Sequence, residues 1–182
     1  PEITCEDFQN LLDVLRTYED VRVVFTKSNA DNEGRRINHM IDEFVSTCSK
    51  NVVAHTSLGR VRYLSTLKFV SGVVGNSSSG IIEAPSVQTG TVNIGGRQLG
   101  RLRAASVIDC QSDVTSIKKA IDTLLSSEFQ SSLTNLSNPY GKGGVARKIV
   151  NVLKTCCLKG IVRKEFFDVA PSYMPAEDKM VD

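Results

Sequence analysis

Two hydrophobic periods alternate along the chain. Phe8, Leu11, Leu12 and Leu15 recur at helical spacing over residues 5–18, with Thr4 as a cap candidate. Val21–Thr26 is a short β-branched run of the kind that forms a buried strand. Asp31-Asn32-Glu33-Gly34 predicts a turn into a second helix, whose Ile37, Met40, Ile41, Phe44 and Val45 keep the i, i+3, i+4 pattern. Val52–His55 reads as a strand, and Ser57 as the cap of a short helix with Val61, Leu64 and Leu67 on its apolar face. Val73 and Val74 close a further strand; Ile81–Val87 follows as a helix, with Gly90 as its stop. Thr91–Ile94 and Ser106–Asp109 read as strands, Val114–Leu125 as an amphipathic helix capped by Asp113 or Ser112, and Gly144–Leu153 as the last helix. Beyond Gly160 the pattern is mixed, and Ala170–Asp182 reads as a tail. Strands alternating with helices across short loops predict an α/β fold, a parallel sheet flanked by helices. Ligands of such sheets bind beyond the carboxyl ends of the strands.

Composition narrows the function classes. At 182 residues and 41% hydrophobic, the chain suits one soluble domain or one lobe of a larger protein. No apolar run approaches the ~20 residues that span a membrane, and no secretory signal is expected. A formal charge of +2 is too small to argue for nucleic acid. The five cysteines form no C-x-x-C, and neither His39 nor His55 stands at metal-ligand spacing from one. A reducing cytoplasm, no metal and no cofactor are expected. The first residue is Pro1, which suggests a processed or truncated start. There is no G-x-S-x-G, no H-E-x-x-H and no acidic cluster with metal spacing, so a binding lobe fits better than a self-contained active site.

Candidate chemistry gathers in loops that follow strand ends. Gly75-Asn76-Ser77-Ser78-Ser79-Gly80-Ile81-Ile82-Glu83-Ala84-Pro85 reads as strand, small polar loop and helix start in succession. Unpaired N–H groups and hydroxyls there suit an anion, and Glu83, about one turn on, can reach a neighbouring diol. The same serines equally suit a helix cap with a solvated Glu83, and the pattern alone favours neither. Lys27-Ser28-Asn29-Ala30-Asp31 offers an amide that can both donate and accept at the edge of a base; an Asx-turn is the alternative. Arg60 and Arg62 read as solvated. In Gly95-Gly96-Arg97-Gln98-Leu99-Gly100-Arg101 a tight turn carries a guanidinium suited to phosphate oxygens, on a loop expected to face the serines. Asn138-Pro139-Tyr140-Gly141-Lys142-Gly143-Gly144 is a glycine-rich turn before a helix that could close over a nucleotide; taken alone it reads as a turn with a cap.

Four segments, in order, resemble the hydrolysing UDP-N-acetylglucosamine 2-epimerases: Ser57-Leu58-Gly59-Arg60-Val61-Arg62-Tyr63-Leu64-Ser65, the serine loop from Gly75 to Pro85, Asn93-Ile94-Gly95-Gly96-Arg97-Gln98-Leu99-Gly100-Arg101, and Asn138-Pro139-Tyr140-Gly141. The resemblance implies a Rossmann-like C-terminal lobe of a glycosyltransferase-B type fold, with residues 1–155 as a UDP-binding lobe lacking its first strand and 156–182 as a C-terminal segment and tail. It implies loss of UDP and inversion at C2 by elimination and hydration. The free N-acetylmannosamine, or a diacetamido analogue, would feed sialic or legionaminic acid synthesis. Carried over by motif, Asn29 contacts the uracil or ribose, Ser77 and Ser78 the diphosphate, Glu83 the ribose hydroxyls, and Arg97 the departing phosphates. The acid and base carboxylates are expected mainly in a missing N-terminal lobe, so these residues alone are expected to be inactive. Expected partners are the UDP-sugar, that lobe and a second copy in a homodimer. Lys27-Ser28 stand where the family often has a proline. Without its first strand the isolated chain is expected to be destabilised, aggregation-prone or completed by another chain. The alternatives are the donor-binding lobe of a glycosyltransferase of the same fold, or a non-catalytic UDP-sugar binding module.

Overall fold

The computed structural model describes residues 4–28, 32–48, 50–160 and 162–163. Residues 1–142 form one compact unit and 143–182 a second. In the first unit, α1 (Cys5–Leu15) starts on a capping box. The Asp7 N–H donates to Thr4 Oγ1 at 3.1 Å and the Thr4 N–H to Asp7 Oδ2 at 2.9 Å, which satisfies donors the helix itself cannot. Strand β1 (Val23–Thr26) leads to α2 (Asn32–Thr47), and β2 (Val52–His55) to α3 (Gly59–Leu67). Strand β3 (Gly72–Gly75) leads to α4 (Ser78–Ile82) and a 3₁₀ turn at Ala84–Val87. Then come β4 (Gly90–Ile94), β5 (Val107–Cys110), α5 (Val114–Leu125), α6 (Ser127–Ser132) and a 3₁₀ turn at Leu133–Asn135.

All strand pairs are parallel, in two groups. β1 pairs with β2, Val23 opposite Val52. β4 sits between β3 and β5, with Val92 opposite Val74 and Ile108. One hydrophobic cluster spans both groups. Phe8, Leu11 and Leu12 of α1 meet Ile41 and Phe44 of α2, Val52 of β2, Val92 and Ile94 of β4, and Ile117, Ile121 and Leu124 of α5. Phe25 stands edge-on to Phe8 and Phe44, centroids 6.4 and 5.9 Å apart. Each fully buried member of the cluster, such as Ile41, Phe44 or Ile117, contributes about 1.5–3 kcal/mol.

The expected α/β architecture is present, with local departures. The helix of the serine loop begins at Ser78 rather than Ile81 and does not run through to Val87. Pro85 has no N–H to give to Ile81, so the α ladder stops and a 3₁₀ turn continues. The helix stop is not Gly90 but Gln88, which takes the left-handed conformation at φ 60°. Gly90 is instead the first residue of β4, and a Cβ there would lie 2.6 Å from Leu124 Cδ1, so it is a glycine because α5 packs close. Val61 of α3 is 79% exposed, and only Leu67 of that helix is buried.

In the second unit, α7 (Val145–Thr155) starts after Gly144 at φ 75°. Val145, Ile149, Val152 and Leu153 form an exposed apolar stripe on it. Among the described residues no helix is long and apolar enough to cross a membrane.

Candidate functional site

Parallel pairing brings the carboxyl ends of β3, β4 and β5 to one rim, since Gly75 stands opposite Asn93 and Asn93 opposite Asp109. The chain leaves β3 into Asn76-Ser77-Ser78-Ser79 and leaves β4 through Gly95, at φ 73°, into Gly96-Arg97-Gln98. Gln98 joins the two loops. Its side chain is 3% exposed, and its Nε2 donates to the Asn76 carbonyl at 2.7 Å. Behind it, Arg103 Nη2 donates to the Gln98 carbonyl at 3.2 Å. Arg103 Nε lies 2.6 Å from Asp109 Oδ2, an ion pair without hydrogen-bond alignment, and Asn93 Nδ2 donates to Asp109 Oδ1 at 2.7 Å. Asn93 and Gln98 are buried polar residues whose amide nitrogens are hydrogen-bonded, while Asn93 Oδ1 and Gln98 Oε1 have no hydrogen-bond partner among the described residues, so these two amides hold the rim through their donor sides only.

The serine loop is anchored from below and behind. Ser77 caps α4, its hydroxyl accepting from the Ser79 N–H at 3.3 Å. As an acceptor there, the same hydroxyl keeps its proton for another partner. Gly80 lies against β4, where Thr91 Oγ1 donates to the Gly80 carbonyl at 2.8 Å and a Cβ on Gly80 would stand 2.5 Å from Thr91 Cγ2. At the other end of α4, Asn138 Nδ2 donates to the Ile82 carbonyl at 2.9 Å and to Ser86 Oγ at 2.6 Å, while its Oδ1 accepts from the Tyr140 N–H. Asn138-Pro139-Tyr140-Gly141 is thus a turn, as the residues suggest, that also binds an orphan carbonyl of the serine helix.

The site residues divide as follows. Ser77 is exposed, Ser78 and Glu83 are half-buried, and Arg97 is exposed, all on or beside this rim. Ser77, Ser78 and Arg97 therefore come onto adjoining loops. Glu83 takes a hydrogen bond from Ser79 Oγ at 2.5 Å, and Tyr63 OH of α3 lies 2.7 Å from the same Ser79 oxygen. Asn29 lies outside the described residues. The chain just before it is pinned: Ser28 N–H donates to Asn38 Oδ1 and Asn38 Nδ2 to the Ser28 carbonyl, at 2.8 and 3.1 Å. Lys27 is paired with Asp42 at 2.6 Å. Tyr63, Ser79 and Gln98 have no individual role in the sequence reading; only their places inside the motifs mark them. With five residues α4 carries a small dipole, so the anion-binding capacity of the loop rests on its N–H groups and hydroxyls. A groove of about 660 Å³ is lined by Val114, Lys118, Asp122 and Glu128 among others, and by none of the rim residues. Among the described residues no cluster of histidine, cysteine and carboxylate side chains could hold a metal ion.

A family model for UDP-N-acetylglucosamine 2-epimerase matches residues 2–154. The chain is 38% identical over 167 residues to a hydrolysing GDP/UDP-N,N′-diacetylbacillosamine 2-epimerase of Campylobacter jejuni, covering 91% of this chain and 43% of that protein. It is 34% identical over 136 residues to a hydrolysing UDP-N,N′-diacetylbacillosamine 2-epimerase of Legionella pneumophila, covering 75% and 34%. Thus it spans about two fifths of the length of the curated relatives it matches, or less. Among solved structures it is similar to a UDP-GlcNAc 2-epimerase of Neisseria meningitidis bound to UDP-GlcNAc, with a TM-score of 0.63 at 17% identity, covering 84% of this chain and 41% of that one. It is also similar to S. aureus MnaA in a co-structure with UDP, with a TM-score of 0.64 at 19% identity, covering 82% and 41%. At those identities the likeness bears on the fold, and it agrees with parallel sheets flanked by helices in a glycosyltransferase-B-like arrangement.

Proposed function

We propose, from the premise that this chain belongs to the UDP-N-acetylglucosamine 2-epimerase family, that it is the UDP-binding C-terminal lobe of a hydrolysing UDP-sugar 2-epimerase. One observation carries the reading: Gln98 ties the Arg97 loop to the serine loop, so a permanent cation and a set of hydroxyl and N–H donors stand on adjoining loops at the strand ends. The hydrolysing activities of the C. jejuni and L. pneumophila relatives support that class for this chain.

In this reading Ser77 and Ser78 donate to the diphosphate, Glu83 accepts from the ribose hydroxyls, and Asn29 meets the uracil or ribose. The C1–O bond breaks as a proton leaves C2, giving a glycal and UDP. Water then adds OH at C1 and a proton to the opposite face of C2, giving free N-acetylmannosamine or a diacetamido analogue for sialic or legionaminic acid synthesis. Arg97 stabilises the charge that develops on the departing phosphate. The carboxylates that move the C2 proton belong to an N-terminal lobe outside these residues, so this lobe alone binds UDP and does not turn over substrate. The lobe comprises residues 1–155, with a first strand supplied from outside it. Two parallel strand groups that share one core, with no strand pairing them among the described residues, support that last point.

The test is product analysis of the full-length protein with UDP-N-acetylglucosamine and its diacetamido analogue. Free UDP and a free sugar inverted at C2 are expected, with kcat lowered about 10²–10³-fold in Arg97→Ala. Transfer of the sugar to an acceptor, or undiminished turnover in Arg97→Ala, contradicts the reading.

A further inference from the structure

Tyr63 and Ser79 have no part in the nucleotide contacts above, yet they make the most completely specified hydrogen-bond chain at the rim. A serine hydroxyl has one proton. Ser79 Oγ gives its proton to Glu83 Oε2 at 2.5 Å, so toward Tyr63, 2.7 Å away, it can only accept. The direction is therefore fixed: phenol to hydroxyl to carboxylate. Each donor in such a chain polarises the next.

Three consequences follow. The Ser79 hydroxyl is not free to donate to a diphosphate, which leaves that task to Ser77 and Ser78. Only one carboxylate oxygen of Glu83 is engaged, and Oε1 makes no hydrogen bond among the described residues. And Glu83 is not a solvated glutamate free to sample rotamers. It stands one turn after Ser79, its N–H donating to the Ser79 carbonyl at 2.9 Å. Helical side chains tilt toward the N-terminus, here toward the strand ends. Tyr63 comes from α3, so the chain also ties that helix to the serine loop.

We propose that Tyr63 and Ser79 are positioning residues that hold Glu83 with Oε1 presented to the ribose diol, and so set the preference of the site for ribonucleotide over deoxyribonucleotide. A glutamate held in its binding rotamer does not lose that freedom when the ligand arrives, so the hydrogen bond to the 2′-hydroxyl contributes more fully to affinity. The inference rests on the reading of Glu83 as the ribose acceptor.

The experiment is calorimetric titration of the full-length protein with UDP and with 2′-deoxy-UDP, in the unaltered protein and in Tyr63→Phe, Ser79→Ala and Glu83→Gln. The unaltered protein is expected to prefer UDP about tenfold, the worth of one hydrogen bond to a carboxylate. Tyr63→Phe and Ser79→Ala are expected to bring the two ligands to within about twofold, chiefly by weakening UDP, with 2′-deoxy-UDP little changed. Preference lost in Glu83→Gln but kept in Tyr63→Phe and Ser79→Ala overturns the positioning role and leaves the ribose contact standing. Equal weakening of both ligands in the two variants shows a role in folding only and also overturns it. No preference in the unaltered protein removes the ribose contact and the inference together.

Discussion

The β1–β2 pair and the β3–β4–β5 group use the same parallel ladder but are covered very differently. Every residue of β4 is buried, with α4 and α5 packed against it. In β1 and β2 burial alternates: Phe25 and Val52 face the core, while Val24 and Val53 are 44% and 48% exposed. Parallel sheets are ordinarily covered on both faces. In the three-stranded group the central strand meets that condition within these residues, its neighbours β3 and β5 are mostly half-buried, and the group carries the candidate rim. The two-stranded pair has one covered face. What the difference teaches is a division of labour: the rim that would hold the diphosphate stands on the part built round a fully buried strand.

The sharpest way to break this comparison is a buried charge in each group. Val92→Asp in β4, where the side chain is fully enclosed, is expected to abolish cooperative folding, because an unpaired carboxylate there costs more than about 4 kcal/mol. Val53→Asp, on the open face of β2, is expected to change stability by no more than about 0.5 kcal/mol. Circular dichroism with thermal melting of the full-length protein decides it. Comparable losses in both would show that the β1–β2 face is covered in the whole protein.

The same contrast explains what was legible in the sequence. Every strand lies within a residue or two of its predicted span because short β-branched runs bounded by polar loops leave little choice: Val52–His55 and Ile94 as the last residue of β4 agree with the reading. The adjacency of the serine and Arg97 loops followed from parallel topology alone. What the pattern hid was tertiary. A lone Pro85 shortens a helix whose apolar residues continue past it. Gly90 looks like a helix stop, but its absent side chain makes room for Leu124. Helix α6 was not foreseen, because Ser126–Ser137 offers mainly caps; Ser126 does cap it, accepting from the Phe129 N–H at 3.2 Å, and Phe129 packs on the core. Gln98 and Asn138 are polar residues in glycine-rich turns, and only the fold shows which distant carbonyl each one meets.

A smaller effect sharpens the account of the three-stranded group. Gly80→Ala would drive a Cβ against Thr91 Cγ2, in a contact that leaves no room for one more carbon. A cost of about 1–3 kcal/mol is expected, with weaker UDP binding as α4 lifts from β4. Adding Thr91→Ser removes the obstructing methyl while keeping the hydroxyl that donates to the Gly80 carbonyl, so the double variant should recover most of the loss. No recovery would mean that the strain is relieved elsewhere and that this packing does not seat the serine loop.

The smallest expected effect is a pH dependence at the edge of the same group. Burial in β5, with Asp113 and then Asp109 nearby, raises the Cys110 thiol from 9.0 to about 11. In the folded state the proton is held more tightly than in the unfolded chain. The contribution is therefore complete below pH 9 and is lost as the pH rises through 9 to about 11. The thiol is only partly buried, and solvent screens the effect, so Cys110→Ala should lessen the alkaline fall in Tm by only about 1–2 °C. Tyr18, on the α1–α5 side, is pushed upward by burial and by its hydrogen bond to Asp122, and it should account for part of the fall that remains. An alkaline limb identical in Cys110→Ala and the unaltered protein would place the whole loss outside the β3–β4–β5 group, and the chemistry at its edge would then add nothing to the stability of the rim.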